Sequence, residues 1–321
     1  MDPKIREMAQ GLMVVRSVAL VCHVAPDGDT LGAACALALA LERLGKETVL
    51  YCADPVPQRL AFLQGADRFT RSVEEAAACD AVMAVDCAAP DRMGPGSRLL
   101  ELGKPTFVLD HHGTNPGFGR LFYVAKAPSA SELVFPLLEA LGIAPDTAMA
   151  DCLYAGMVTD TGRFAFPGVT GDTLRRAAQT LDAGAHYDRI CRTQFQTRSL
   201  AATRLLGAAL QSLELYAGGR LALMAVTAED MAAVDGRLED MEGIVNYASE
   251  IEGTDIGVML YPASGKWKVS LRAGEHARVD TVAALLQGGG HPKAAGGRAS
   301  GTLAEAKAQV LAAVEQAGVL A

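Results

Sequence analysis

The stretch "HVAPDGDT", residues 23–30, follows the apolar run "VALVC" (18–22) and precedes the alanine- and leucine-rich "LGAACALALALERLG" (31–45). An apolar run, a polar turn and a helical pattern in succession read as strand, turn and helix, the repeating unit of a parallel α/β sheet. The turn carries one imidazole and two carboxylates, His23, Asp27 and Asp29. Folding alone requires none of them there.

The alternation continues to about residue 190. Further strands are expected at "ETVLYC" (47–52), "DAVMAVD" (80–86) and "PTFVLD" (105–110), and helices at 129–142, 146–162 and 171–185. His23, Asp86 and Asp110 stand at or just after the carboxyl ends of their strands, the edge where open parallel sheets place their ligand crevice. One or two connecting helices are expected over 187–215. Beyond them "RLALMAV" (220–226), "DIGVMLYP" (255–262) and "GKWKVSLRA" (265–273) read as strands, the last two joined as a hairpin through "ASGK". The expectation is an α/β protein with a parallel-sheet domain over 1–190, a helical linker over 191–215 and a smaller α/β domain with a mixed sheet over 216–321. The active site is expected in the cleft between the two.

A chain of 321 residues exceeds what one hydrophobic core comfortably organises. Its formal net charge of −8 should repel duplex nucleic acid, so any phosphate binding must be local, through metal ions or a small basic cluster. The cysteines (Cys22, Cys35, Cys52, Cys79, Cys87, Cys152, Cys191) are odd in number and lack CxxC spacing, which fits reduced, buried thiols better than disulfides or a zinc site. No signal peptide is evident, and the apolar segment 31–41 is too short to span a bilayer. A cytoplasmic protein without membrane contact is expected.

Carboxylates and imidazoles gather at four separated places: His23, Asp27 and Asp29; Asp86; Asp110, His111 and His112 in "LDHHGTN"; and Asp160 in "MVTDTGRF". Singly, each has a structural reading. Asp27 and Asp29 could be turn residues around Gly28, Asp29 or Thr30 a helix N-cap, Asp86 a cap and His23 a core histidine. Together they would meet at one sheet edge, where two carboxylates ~4 Å apart repel by roughly 4 kcal/mol at an effective dielectric of 20. Two divalent cations would offset the charges of Asp27, Asp29, Asp86 and Asp160. Imidazole and carboxylate ligands without thiolate suit Mn²⁺, with Mg²⁺, Co²⁺ or Fe²⁺ as alternatives. A metal pair sharing one carboxylate clamps an in-line displacement at phosphorus.

Near the far end, Gly288, Gly289 and Gly290 could form a helix cap and turn. Alternatively their backbone N–H groups, with His291 and with Arg272 on a neighbouring strand, make a compact anion site in an otherwise acidic protein. Lys293 reads equally as a phosphate contact or a solvated surface charge.

Four segments, "HVAPDGDTLGA", "AVDCAAPDRMG", "LDHHGTN" and "GMVTDTGRFAF", in that order and spacing, resemble the motifs of the DHH phosphoesterase family. "LLQGGGHPKAAGG" (285–297) resembles the glycine-rich signature of the DHH-associated C-terminal domain, so the resemblance spans nearly the whole chain. It implies one metal held by His23, Asp27 and Asp86 and another by Asp29, Asp86, His111 and Asp160, with Asp86 bridging. It places His112 near the scissile phosphate, Asp110 behind an imidazole, and Arg272 and His291 on the substrate phosphate. Gly28 is expected to let the two carboxylates of the turn splay toward different ions.

The chain length and "EGIVNYASEIEG" (242–253) resemble the nanoRNase/pAp-phosphatase group. That implies a hydrolase removing mononucleotides from single-stranded RNAs of about two to five nucleotides and dephosphorylating 3′-phosphoadenosine 5′-phosphate (pAp), a length range that an acidic surface also favours. A homodimer is left open. Ala33 and Thr30 depart from the residues commoner in the family and blur the substrate subtype. The alternatives are a phosphodiesterase specialised for cyclic or linear dinucleotides and a non-catalytic nucleotide-binding regulator. The complete ligand set speaks against the regulator.

Overall fold

The computed structural model describes residues 2–320. The chain forms two compact units that divide after Thr197. The first runs α1 (Pro3–Val14), β1 (Ser17–Val21), α2 (Gly28–Arg43), β2 (Glu47–Tyr51), α3 (Val73–Ala77), β3 (Ala81–Val85), β4 (Thr106–Asp110), β5 (Leu121–Val124), α4 (Ala130–Leu141), α5 (Thr147–Asp160), α6 (Gly171–Asp182) and α7 (Tyr187–Cys191). Its five strands pair in parallel in the order β2-β1-β3-β4-β5. The chain leaves β1 toward β2 on one side and returns to β3 on the other, so the carboxyl ends of β1 and β3 flank the point where such sheets open a crevice.

Side chains of the central strands alternate between two buried faces, as a period of two requires. Leu20, Met83 and Phe107 join residues of α1, α2, α4 and α5 in one cluster, whereas Val21, Ala84 and Val108 pack with Ala76 of α3, Met93 and Leu99 in the other. Each fully buried side chain of this size contributes about 1.5–3 kcal/mol.

β5 was not expected from sequence. It pairs in parallel with β4 although only residues 111–120 separate them, with no helix between. Parallel neighbours usually need a longer, helical crossover, so "LFYV" reads as loop until its partner is known. The short crossover carries His111 and His112.

Helix α2 lies directly on α5. A Cβ at Gly28 would collide with the Thr159 side chain, one at Gly32 with the Cys152 carbonyl, and one at Gly156 with Ser131 and Asp29. Gly28 is the first residue of the helix and is absent from the left-handed backbone region. Its role is close helix approach, not the splaying of carboxylates.

The second unit runs α8 (Leu200–Gln211), β6 (Glu214–Tyr216), β7 (Leu221–Ala225), α9 (Ala228–Ala233), α10 (Ile244–Ser249), β8 (Ile256–Ala263), β9 (Lys266–Ala273), α11 (Asp280–Leu285), β10 (Gly289–His291), β11 (Ala294–Ala299) and α12 (Leu303–Ala317). The sheet order is β10-β11-β9-β8-β7-β6, with β7 and β8 parallel and the other pairs antiparallel. The expected hairpin is β8–β9, closing on Ser264 and Gly265. Leu205 and Ala209 of α8 are buried with Met224 of β7 and Ile244 of α10.

Among the described residues no helix is long and apolar enough to cross a membrane. The cysteines are free thiols, all buried except the half-buried Cys191.

Candidate metal centre

Asp27 builds the turn after β1. Its Oδ1 accepts hydrogen bonds from the backbone N–H groups of Asp29 (3.0 Å) and Thr30 (3.2 Å), making Asp27, rather than Asp29 or Thr30, the N-cap of α2. Its other oxygen stands 3.6 Å from His23 Nε2. Thr30 Oγ1 donates to the Val85 carbonyl at 2.9 Å, tying the helix start to the end of β3.

With Asp27 as the cap, Asp29 turns inward and is completely buried. Its oxygens accept from the N–H groups of Ala130 (2.5 Å) and Ser131 (2.9 Å), at the start of α4, where unpaired donors and the helix dipole favour an anion. Asp86, just past β3, has φ +58°, a left-handed conformation that costs a non-glycine residue about 1–2 kcal/mol. Its N–H donates to the Leu109 carbonyl at 2.9 Å, and its carboxylate is buried. Asp160 closes α5, with its side chain about a third exposed.

These residues meet in two groups. His23 Nε2 lies 3.6 Å from Asp27 Oδ2 and 3.5 Å from Asp86 Oδ2. His111 Nε2 lies 3.3 Å from Asp86 Oδ1, 3.4 Å from Asp160 Oδ2 and 4.0 Å from Asp29 Oδ2. Asp86 thus sends one oxygen toward each group.

The opposite edges of the rings bear on the tautomers. His23 Nδ1 is 2.9 Å from the Val24 carbonyl and His111 Nδ1 is 3.0 Å from the Ala127 carbonyl. A carbonyl only accepts, so His111 Nδ1 carries the proton; His23 Nδ1 has both the Val24 carbonyl and, at 3.3 Å, the Arg92 guanidinium beside it, and both Nε2 atoms face the carboxylates. Arg92 reaches the same Val24 carbonyl at 3.3 Å.

The donor set fits divalent cations. Asp86 Oδ1 is buried without a hydrogen-bond partner among the described residues, which is costly unless something positive completes it. Two ligands each about 2.1 Å from one ion stand roughly 3.0–3.4 Å apart, close to the Nε2-to-oxygen separations here. Three clusters with metal-ligand geometry emerge: His23, Asp27 and Asp86; Asp29, His111 and Asp160; and Asp86, His111 and His112.

Without a metal the charges distort one another. Burial alone would lower the pKa of His23, but Asp27 and Asp86 raise it to about 10. His111 is likewise opposed by burial yet raised to about 11 by Asp86, Asp29 and Asp160. Burial and then the neighbouring carboxylates push Asp29 and Asp160 upward. Burial opposes ionisation of Asp86, but His111 and His23 hold it well below the usual carboxylate range. Two strained acids beside two proton-holding imidazoles are what bound cations would relieve.

Asp110 and His112 form a pair at the edge of this cluster, with His112 Nδ1 also 3.6 Å from Asp86 Oδ1. His112 Nδ1 is 2.7 Å from Asp110 Oδ1, and Asn115 Nδ2 donates to Asp110 Oδ2 at the same distance. Neither Asn115 nor Arg92 stood out in the sequence, since polar side chains in a loop carry no periodic signal. "DHHGTN" and "DRMG" are the only local hints.

The second unit holds the other expected contacts. Strand register aligns Arg272 of β9, Ala294 of β11 and His291 of β10 in one row, placing Arg272 and His291 about 10 Å apart on one face. Burial lowers the Arg272 pKa, and no carboxylate forms an ion pair with it among the described residues. Gly289 and Gly290 form a short edge strand rather than a loop. A Cβ would collide at Gly288 with the Gly296 carbonyl and at Gly290 with the Ala294 carbonyl, whereas Gly289 has open space. Lys293 is exposed, and its ammonium donates to the carbonyls of Gly274 (2.6 Å), Glu275 (2.7 Å) and Ala277 (2.9 Å).

Comparison with known proteins agrees with this geometry. Residues 17–157 match the model of the DHH family N-terminal domain, and residues 197–318 match the DHHA1 domain. The bifunctional oligoribonuclease and PAP phosphatase NrnA of Thermus thermophilus is 34% identical over 98% of this chain and 94% of its own length. The Bacillus subtilis protein of the same name is 26% identical over 90% and 91%. A crystal structure of an exopolyphosphatase-related protein from Bacteroides fragilis superposes with a TM-score of 0.94 at 27% identity, covering 99% of this chain and 97% of that one. RecJ of Thermus thermophilus shares the fold at 17% identity, with a TM-score of 0.60 over 98% of this chain and 55% of its own. The chain belongs to the DHH phosphoesterase family, with a DHH domain followed by a DHHA1 domain.

Proposed function

We propose that this protein is a metal-dependent phosphoesterase that degrades very short RNAs to mononucleotides and dephosphorylates pAp. The observation that carries the reading is Asp86, whose two oxygens face two separate His/Asp clusters on the carboxyl edge of one sheet. The similarity to oligoribonuclease and PAP phosphatase relatives over almost the full chain supports the substrate class.

His23, Asp27 and Asp86 would hold one divalent cation, and Asp29, Asp86, His111 and Asp160 a second. Mn²⁺ suits this imidazole and carboxylate set, with Mg²⁺, Co²⁺ and Fe²⁺ as alternatives. Bound cations supply charge to the phosphoryl oxygens and lower the pKa of water at the site. The chain's own residues do the rest. The N–H groups of Ala130 and Ser131 aim the Asp29 carboxylate, and the carbonyls of Val24 and Ala127 fix the edge that His23 and His111 present. His112, held by Asp110, orients the scissile phosphate or protonates the leaving oxygen. Arg272, His291 and the strand Gly289–His291 grip a substrate phosphate; Arg272 has the planar donor fork for it and no competing acid among the described residues.

The test is product analysis, in one Mn²⁺ buffer, of 5′-phosphorylated RNAs of increasing length together with pAp and cyclic dinucleotides. The reading expects mononucleotides released one at a time, efficiency highest at about two to five nucleotides, and turnover of pAp. Undiminished degradation of long strands, or turnover of cyclic dinucleotides alone, would contradict it.

A further inference from the structure

Asn115 lies in the crossover between β4 and β5, and its side-chain amide is used at every polar position. Nδ2 donates to Asp110 Oδ2 at 2.7 Å and to the Cys87 carbonyl at 3.0 Å, while Oδ1 accepts from the Gly117 N–H at 2.8 Å. An amide NH₂ has two hydrogens, and both are committed. Asp110 is completely buried, and its other oxygen accepts from His112 Nδ1 at 2.7 Å. Cys87 directly follows Asp86, so one side chain joins the residue after the proposed bridging carboxylate to the residue that holds His112.

The loop is also tied by backbone hydrogen bonds that do not involve this amide. The Asn115 N–H donates to the His112 carbonyl, the Ala125 N–H to the Asp110 carbonyl, and β5 pairs with β4 along its length. Removing the side chain would leave this backbone network in place. It would strip Asp110 Oδ2 of its donor in a buried setting, where an unsatisfied polar atom is costly and the carboxylate would turn to find another partner.

We propose that Asn115 is a positioning residue for phosphoester hydrolysis, acting through Asp110 to hold the His112 ring in its working orientation. This rests on the reading of His112 as the group at the scissile phosphate. Supporting partners of this kind are commonly worth 10- to 100-fold in activity. The amide suits the task because it donates twice and carries no charge. A carboxylate at this position would face Asp110 and the Cys87 carbonyl, and glutamine would displace the donors by a methylene.

The experiment is a double-mutant cycle on the Mn²⁺-loaded protein with a 5′-phosphorylated RNA trinucleotide, reading kcat, KM and metal content. Asn115→Ala should lower kcat about 10- to 100-fold, with KM within about twofold and metal stoichiometry unchanged. In a His112→Ala background the same substitution should cost less than about a further twofold, because the residue it acts through is gone. Asn115→Ser, a smaller excision, is run in parallel, so that a folding failure of the alanine variant still leaves a readable cycle. Additive losses, or loss of bound metal in the Asn115 variants, would overturn the positioning role alone. An undiminished kcat in His112→Ala would overturn the reading of His112, and the proposal with it.

Discussion

Asp86 Oδ1 lies 3.3 Å from His111 Nε2 and, though buried, accepts no hydrogen bond from any described residue. The carboxylate is held there by a left-handed backbone at the end of β3 and faces a ring whose other nitrogen is committed to the Ala127 carbonyl. Strain, burial and an unsatisfied oxygen at one residue are tolerated where a ligand completes the set.

Metal binding should release protons. In the metal-free protein His23 and His111 hold protons up to about 10 and 11, and Asp29 and Asp160 are shifted upward by burial and mutual repulsion. A folded-state pKa above the unfolded value stabilises the metal-free fold at low pH, and that stability is lost as pH rises through the folded value. For the histidines the loss begins above the ordinary value of 6.5. The low pKa of Asp86 acts in the opposite sense, but only in acid, outside this window. The Tm gap between Mn²⁺-loaded and chelated protein should therefore widen from pH 6.5 to pH 8.5. A gap that stays constant or narrows would contradict the ligand assignment.

Neighbouring glycines in the β10 region should respond differently. A Cβ at Gly288 meets the Gly296 backbone, so Gly288→Ala should destabilise the second unit by about 1–3 kcal/mol. Gly289 has open space, so Gly289→Ala should stay within about 0.5 kcal/mol of the parent. If substrate phosphate approaches that backbone, the same variant raises KM for a short RNA. An unchanged KM would remove this strand from the substrate site.

Arg272 should separate binding from chemistry. Arg272→Ala is expected to leave metal content intact and to raise KM for short RNA and pAp by about tenfold or more, the scale of a lost charge-assisted hydrogen bond. Arg272→Lys should recover only part of this, lacking the planar fork. A small aryl phosphodiester should be affected much less. Equal losses on all substrates would mean that Arg272 supports the fold instead.

Much of this architecture is legible in the amino-acid sequence because chemistry and periodicity coincide. Strands β1, β3 and β4 are apolar runs that stop at His23, Asp86 and Asp110, so strand ends and reactive residues mark each other. β5 escapes notice because a four-residue half-buried strand after a helix-free crossover has no pattern of its own. The cradle of Asp29 escapes for another reason: its donors are backbone N–H groups of Ala130 and Ser131, which any residue supplies. Asp27 caps the helix in place of Asp29 or Thr30, and a change of phase of two or three residues is invisible until the turn is built. The contacts of Lys293 escape for the same reason, since only the fold brings three carbonyls to it.

The most direct test is the metal content of Asp86→Asn. Asparagine tolerates the left-handed backbone at this position, and the change keeps the side chain's shape while removing the charge both groups of ligands share. Equilibrated with Mn²⁺, dialysed and assayed by elemental analysis, the parent protein should retain two ions per chain, as a charge balance of roughly four carboxylates against two divalent cations requires. The variant should retain fewer than two ions and lose more than the ~100-fold in kcat that a supporting residue costs. Two retained ions with near-parent turnover would contradict the account that Asp86 bridges the metal centre.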